Sequence, residues 1–186
     1  EIKDEAGEAY VLANLGGVYH DLQNLPLAEE TYAQGQQFAE AQNDIYMLSY
    51  FVSHRGMVSL DAADYPQAIE LATSALDMRR NNDLQLWSTA DLTTLSAAHL
   101  AQGNTAEAHQ YAAEAITILD DCQGKGPELP QRDYFIAYEV LQTLGEETAA
   151  HQALAQAERL MQEKAAEITA ADTRRSFLEP VPIHQK

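Results

Sequence analysis

The sequence predicts an all-α protein built from repeated helical hairpins, and three observations support this. Alanines recur at a near-constant interval: Ala28, Ala68 and Ala108 are 40 residues apart, and Ala150 follows 42 residues later. Between them, apolar residues fall at steps of three and four, the period of an amphipathic helix. No segment alternates apolar and polar residues as a half-buried strand does. Self-similarity at a fixed interval is typical of repeat proteins.

Each of the four copies divides into two predicted helices joined by a short turn. The copies cover about 6–42, 44–80, 83–121 and 131–168. The predicted helices occupy about 6–22, 25–42, 44–61, 65–80, 83–101, 104–121, 131–144 and 147–168. A short helical tail follows at 169–186, and we expect the whole chain, 1–186, to form one domain. The chain lacks an initiating methionine, so we interpret it as a fragment of a longer protein.

Turn residues mark the junctions between the helices. Asn24, Asp64 and Asn104 each precede the second helix of a copy, where a side-chain oxygen caps the free backbone N–H groups. A proline follows the first two caps within two residues, in the helical turn that tolerates its missing N–H. Gly103 and Gly145 lie where the first helix of the third and fourth copies ends, a position that favours left-handed backbone.

Charge and composition exclude several classes of protein. The chain carries 29 acidic and 11 basic residues, a net charge of −18, with no Lys or Arg between Lys3 and Arg55 or between Arg80 and Lys125. This distribution argues against binding to nucleic-acid phosphates. A single cysteine, Cys122, excludes an internal disulfide and predicts a reducing, cytoplasmic location. No apolar stretch approaches the roughly 18 residues that a membrane helix needs.

The sequence contains no motif that predicts catalysis. Gly124-Lys125 lacks the spacing and the Ser/Thr of a phosphate-binding loop, and no base lies near Cys122 in the sequence. Asp120 and Asp121 are adjacent on one helix and therefore point in different directions. The six histidines show no metal-ligand spacing. We therefore predict neither an enzyme nor a bound cofactor or metal.

The first copy resembles the tetratricopeptide repeat. Its matching positions are Leu12, Leu15, Gly16, Tyr19, Ala28, Tyr32 and Gly35. Later copies retain mainly the small residues, so the resemblance covers about residues 6–168. The 40–42-residue period is similar to the long-helix variant of bacterial signalling and transcription regulators and of kinesin light chains. A tail motif of large bacterial regulators is also present. Its matches are Arg174, Phe177, Leu178, Val181 and Pro182.

The resemblance implies a right-handed superhelical solenoid of about four antiparallel helix pairs, in which the first helix of each pair lines a concave groove. Carried over position by position, the groove residues are Tyr10, Asn14, Tyr50, His54, Met57, Thr94, Arg132 and Glu139. Any one of them could instead be a core residue, since helical spacing serves both roles. We expect His54 and its neighbour Arg55 to be a solvated or capping pair. The lysine-rich clamp of chaperone cofactors is not reproduced, because only Asn14 fits it.

Two functions follow from the resemblance. The first is a scaffold that binds a protein or peptide within a cytoplasmic bacterial regulatory protein. The alternative is a sensor that binds a small ligand or signalling peptide in the groove and regulates attached domains. An open channel would favour the scaffold, and an enclosed pocket would favour the sensor.

Apolar residues on the first helix cover more than one face. These residues are Tyr10, Val11, Leu12, Leu15, Val18, Tyr19 and Leu22. No earlier helix is present in the sequence to cover them, so we predict an apolar patch that pairs with a second copy or is shielded in the parent protein.

Overall fold

The computed structural model describes residues 5–178, with side chains described within 7–170 and 172–175. The only regular secondary structure in this part of the chain is helical, with no strand, which confirms the predicted all-α class. The helices are α1 Glu5–Asp21, α2 Leu25–Gln42, α3 Ile45–Asp61, α4 Tyr65–Asn81, α5 Thr89–Ala101, α6 Thr105–Asp121, α7 Pro130–Thr143, α8 Glu147–Glu167 and α9 Ala171–Leu178. None of these helices has the length and apolar character needed to cross a membrane.

Helices pack against their neighbours along the chain. Each of the hairpins α1–α2, α3–α4, α5–α6 and α7–α8 is in close contact internally, and each hairpin also contacts the next. The first helices of successive hairpins, α1, α3, α5 and α7, touch one another in turn. They therefore form one continuous layer, and the residues that face outward from this layer lie side by side.

The predicted turn signals are largely confirmed. The Asn24 Oδ1 atom accepts a hydrogen bond from the Leu27 N–H at 3.4 Å, and Asp64 caps α4 through the Gln67 N–H at 3.2 Å. Gly103 and Gly145 have φ values of +81° and +83°, as expected where a helix ends in left-handed backbone.

Asn104 is an exception to this prediction. It precedes α6, but its side chain makes no cap hydrogen bond. Its Nδ2 atom instead lies 3.2 Å from the Nδ1 atom of His99. The carboxamide finds this partner on the preceding helix, so it does not turn toward the start of α6.

The predicted helix at 83–101 is wrong in its first part. Asp83 has a left-handed φ of +59°, Gln85–Trp87 form a single 3-10 turn, and α5 begins only at Thr89. The Trp87 carbonyl accepts a hydrogen bond from the Arg79 guanidinium at 2.6 Å. This carbonyl would accept a backbone hydrogen bond within the helix if α5 began earlier. It is instead bonded to the Arg79 side chain of α4.

Small residues mark the places where helices cross. Ala28, Ala68, Ala108 and Ala150, the alanines that define the repeat, are all buried. Gly16 is buried against the fully buried ring of Tyr32, and Gly35 faces Phe51 in the same way. Close approach of two helices requires these positions to lack bulk.

The two ends of the helical chain differ in their contacts. Helix α9 contains Arg174, which donates to the Ile168 carbonyl at 2.6 and 2.9 Å and so ties the start of α9 to the end of α8. Val181 and Pro182 of the predicted tail motif lie outside the described residues. Val11 and Val18 of α1 and Leu22, which directly follows this helix, are more than half exposed, which leaves an apolar stripe along α1 and its end.

Candidate functional site

A pocket of about 280 Å3 opens on the layer of first helices. It is walled by α1, α3, α5 and α7, by Trp87 of the 3-10 turn and by the segment that precedes α7. Six of the eight groove residues predicted from the resemblance line it together: Tyr10, Asn14, Tyr50, His54, Met57 and Arg132. They converge because positions at helical spacing on adjacent first helices point to the same side of the layer.

The remaining two predicted groove residues lie elsewhere. Thr94 is buried within α5 and does not line the pocket. Glu139 lines a separate hollow of about 210 Å3 between α5 and α7, together with apolar residues such as Leu100 and Val140. Burial in this apolar setting raises the pKa of the Glu139 carboxyl.

Aromatic side chains form one wall of the pocket. Tyr46 and Trp87 meet edge to face, with ring centroids 5.7 Å apart, and Tyr46 is 40% exposed. Tyr50 stacks on the imidazole of His54 at 3.9 Å. Burial, followed by the nearby Glu128 carboxylate, raises the pKa of the Tyr50 hydroxyl, so that it stays protonated and can donate a hydrogen bond.

His54 is buried and lies between two groups of the pocket, contrary to the expected solvated pair with Arg55. Its Nδ1 atom lies 2.9 Å from the Tyr50 carbonyl, and its Nε2 atom lies 3.4 Å from Glu128 Oε2. The hydrogen bond from His54 lowers the pKa of the Glu128 carboxyl, and a bond from the Tyr50 hydroxyl acts in the same direction. Glu128 is therefore ionised at neutral pH, with a side chain that is 53% exposed.

Arg132 of α7 supplies an opposite charge and lies against Met57, which follows His54 by one helical turn on α3. Its Nη1 atom donates to the thioether sulfur of Met57 at 2.7 Å, and a thioether is a weak acceptor. Among the described residues, no carboxylate oxygen lies within 4.0 Å of this guanidinium. Most of its five N–H donors thus remain free for a bound molecule.

The floor of the pocket contains a buried ion pair. The Arg79 Nη1 atom donates to Asp91 Oδ2 at 2.7 Å, to the Trp87 carbonyl at 2.6 Å and to the Ser53 hydroxyl at 3.3 Å. The Arg79 and Asp91 side chains are 6% and 0% exposed. These contacts connect α3, α4 and α5 beneath the aromatic wall.

A second buried carboxylate lies beside this pair. Asp133 of α7 accepts hydrogen bonds from Thr89 at 2.6 Å and Thr93 at 3.5 Å, both on α5. Burial raises the pKa of Asp133 to about 6, although the threonine bonds oppose it. Burial also raises the pKa of Asp91 to about 6, against the opposing effect of Arg79.

These two pKa values predict that the protein becomes more stable as the pH falls from 7 to 5. Each folded pKa of about 6 exceeds the ordinary value of 3.8. The folded state therefore takes up protons in this range and the unfolded chain does not. We expect the free energy of unfolding to rise by about 1 kcal/mol per carboxyl, as measured by urea unfolding at both pH values.

Asp133→Asn is the control for this pH dependence. The amide oxygen can still accept from Thr89, while the titration of position 133 is lost. The variant should show about half of the rise between pH 7 and pH 5. An unchanged rise in Asp133→Asn would contradict the assignment to this carboxyl.

Several residues of the pocket were missed by sequence reasoning. Tyr46 precedes Tyr50 by one helical turn and could have been found by extending the α3 stripe. Arg79 lies on a second helix, and Trp87 lies in a stretch predicted to be helical. Glu128 lies within a Gly- and Pro-rich connection that carried no signal for a site.

The arrangement is suited to binding. It combines exposed aromatic surface with one available carboxylate and one available guanidinium. Among the described residues, no group of three or more His, Cys, Asp or Glu side chains is placed to hold a metal ion. No protein-family model matches the chain, and no curated protein is significantly similar to it in sequence.

Proposed function

We propose that this chain is a non-catalytic binding module of tetratricopeptide type, a right-handed superhelical array whose concave face recognises a ligand or a partner protein. The pocket across α1, α3, α5 and α7 carries this proposal, since it brings together residues from all four hairpins. A site built by consecutive first helices is what the repeat alignment implies for a concave face.

The size of the pocket determines how much of a partner can enter. Pockets for drug-sized ligands span roughly 300–1,000 Å3. A volume of about 280 Å3 therefore suits one anchoring side chain of a bound peptide, or one small molecule. Binding of a peptide side chain corresponds to the scaffold function, and binding of a small molecule corresponds to the sensor function.

We favour a role inside a bacterial regulatory protein of the cytoplasm. The long repeat period and the tail motif support the regulatory assignment, and the lone cysteine agrees with a reducing compartment. The charge of −18 argues against nucleic acid as the partner.

Trp87 offers a direct test of binding through the pocket. It is the only tryptophan in the chain, and it lines the site. Peptides selected from a displayed library should change its fluorescence, and Tyr46→Ala should weaken them about tenfold or more, as expected for an aromatic anchor contact. The control is Phe135→Ala, which removes an equally exposed ring outside the pocket. Equal weakening by both variants would argue against this pocket.

A second proposal concerns self-association through α1. Val11, Leu15 and Val18 of α1, together with Leu22 directly after it, form a continuous exposed stripe. We expect sedimentation velocity to show a concentration-dependent dimer that the double variant Val18→Ser/Leu22→Ser abolishes. Met161→Ser, at an exposed apolar position on α8, is the control and should leave the dimer intact. A monomer at all concentrations would contradict this proposal.

A further inference from the structure

The pocket holds two opposite charges that are not paired with each other. Glu128 lies against His54, and Arg132 lies against Met57, which follows His54 by three residues on α3. The residues that the two charged groups contact, His54 and Met57, are about one helical turn apart on α3, a rise of about 4.5 Å. No ion pair of 4.0 Å or less joins them, although both belong to described parts of the chain.

Each of these charges has unused hydrogen-bonding capacity. Glu128 Oε2 lies 3.4 Å from His54 Nε2, but the Glu128 side chain remains about half exposed. Arg132 spends one N–H on a sulfur atom. Hydrogen bonds to charged groups are stronger than those between neutral groups. A ligand that forms a hydrogen bond with either side chain therefore gains binding free energy.

Arg79 and Asp133, the other charged groups that line the pocket, have hydrogen-bond partners of their own. Arg79 is neutralised by Asp91 in the floor, at 2.7 Å. Asp133 is buried and accepts hydrogen bonds from two threonine hydroxyls. A ligand with a single positive charge would meet repulsion from Arg132, and one with a single negative charge would meet repulsion from Glu128. A ligand with both signs, close together, satisfies both side chains.

We propose that the pocket binds a free α-amino acid as its zwitterion. The ammonium group donates to Glu128, the carboxylate accepts from Arg132, and the side chain lies against Tyr46 and Trp87. This proposal rests on the proposed function of the pocket and names the ligand class. An α-amino acid fits because its two charged groups are bonded to the same carbon, and because the volume of about 280 Å3 suits a molecule of this size.

The aromatic wall predicts which amino acids bind best. Tyr46 and Trp87 present a T-shaped pair of rings with apolar faces, and Met57 adds a polarizable sulfur nearby. We therefore expect aromatic and large aliphatic amino acids to bind more tightly than glycine, alanine or any amino acid with a charged side chain.

The test uses L-phenylalanine and two derivatives that each lack one charge. N-acetyl-L-phenylalanine has no ammonium group, and L-phenylalaninamide has no carboxylate. Calorimetric titration of the whole chain, with Trp87 fluorescence as a second readout, should show both derivatives binding at least about tenfold more weakly than L-phenylalanine. Loss of a charge-assisted hydrogen bond accounts for a factor of this size.

Two variants assign the charges to the two groups. Glu128→Gln should bind L-phenylalanine and its N-acetyl form equally, while still discriminating against the amide. Arg132→Gln should lose discrimination against the amide and retain it against the N-acetyl form. Glu146→Gln and Arg159→Gln change exposed residues outside the pocket and should behave as the wild type. Circular dichroism checks that every variant is folded.

Three results would overturn the proposal. One is equal binding of the N-acetyl form to the unaltered protein, because the ammonium group would then not be recognised. Another is an identical effect of both pocket variants on all three probes. A third is failure of L-phenylalanine to bind at millimolar concentration while library peptides still change the Trp87 fluorescence. In that last case the proposed binding function stands and the amino-acid ligand is wrong. If neither class of probe binds, both proposals fail.

Discussion

Arg79→Met is expected to lower the free energy of unfolding by about 3–5 kcal/mol at pH 7. The substitution leaves Asp91 fully buried without its partner, and one oxygen of this carboxylate, Oδ1, already lacks a hydrogen bond. It also releases the Trp87 carbonyl and the Ser53 hydroxyl, so that three groups lose a donor at once. Chemical denaturation monitored by far-ultraviolet circular dichroism measures the change.

The neighbouring residue provides a matched control. Arg80 also forms an ion pair, with Glu114 at 2.5 Å, but these two side chains are 43% and 35% exposed. Arg80→Met should therefore cost less than about 1 kcal/mol. Comparable losses for the two variants would contradict the structural role of the buried pair.

The pH dependence of Arg79→Met separates lost charge pairing from lost packing. Arg79 lowers the pKa of Asp91, so its removal raises this pKa above its present value of about 6. Asp91 is then protonated in the folded variant at pH 5, and the destabilisation should be smaller there than at pH 7. The double variant Arg79→Met/Asp91→Leu removes both charges and should recover part of the lost stability at pH 7. A loss that is independent of pH would show that packing dominates.

Gly16→Ala is expected to destabilise the protein by about 1–3 kcal/mol, despite the higher helix propensity of alanine. A Cβ atom at this position would lie within 3.0 Å of three atoms of the Tyr32 ring. Tyr32 is fully buried between α1 and α3, so its ring cannot move aside without disturbing the rest of the core.

Gly17→Ala is the control and should have the opposite sign. Its Cβ atom would meet nothing closer than the Tyr32 hydroxyl at 3.8 Å. Replacement of a helical glycine by alanine then stabilises the folded protein by about 0.5–1 kcal/mol. Thermal denaturation of the two variants should therefore shift in opposite directions, and a shift of the same sign would contradict the described helix crossing.

The repeat period, the helix class and most helix ends could be predicted from the sequence. These features depend on residues that lie close together in the chain. Asn24 caps α2 through a backbone N–H only three residues away, and Gly103 ends a helix through its own backbone angles. The side of α3 that carries Tyr50, His54 and Met57 also follows from local periodicity.

Only the tertiary structure decided how these side chains are partnered. The donor of the Met57 contact lies 75 residues away on α7, and the aspartate that neutralises Arg79 lies on a different helix, 12 residues further along the chain. The 3-10 turn at Trp87 likewise depends on a side chain from α4. Helical periodicity determines which face a residue occupies, because one turn of an α-helix involves only about 3.6 consecutive residues. It carries no information about which charged group of a distant hairpin will meet that face, so the charged half of the pocket emerged only when the helices were packed together.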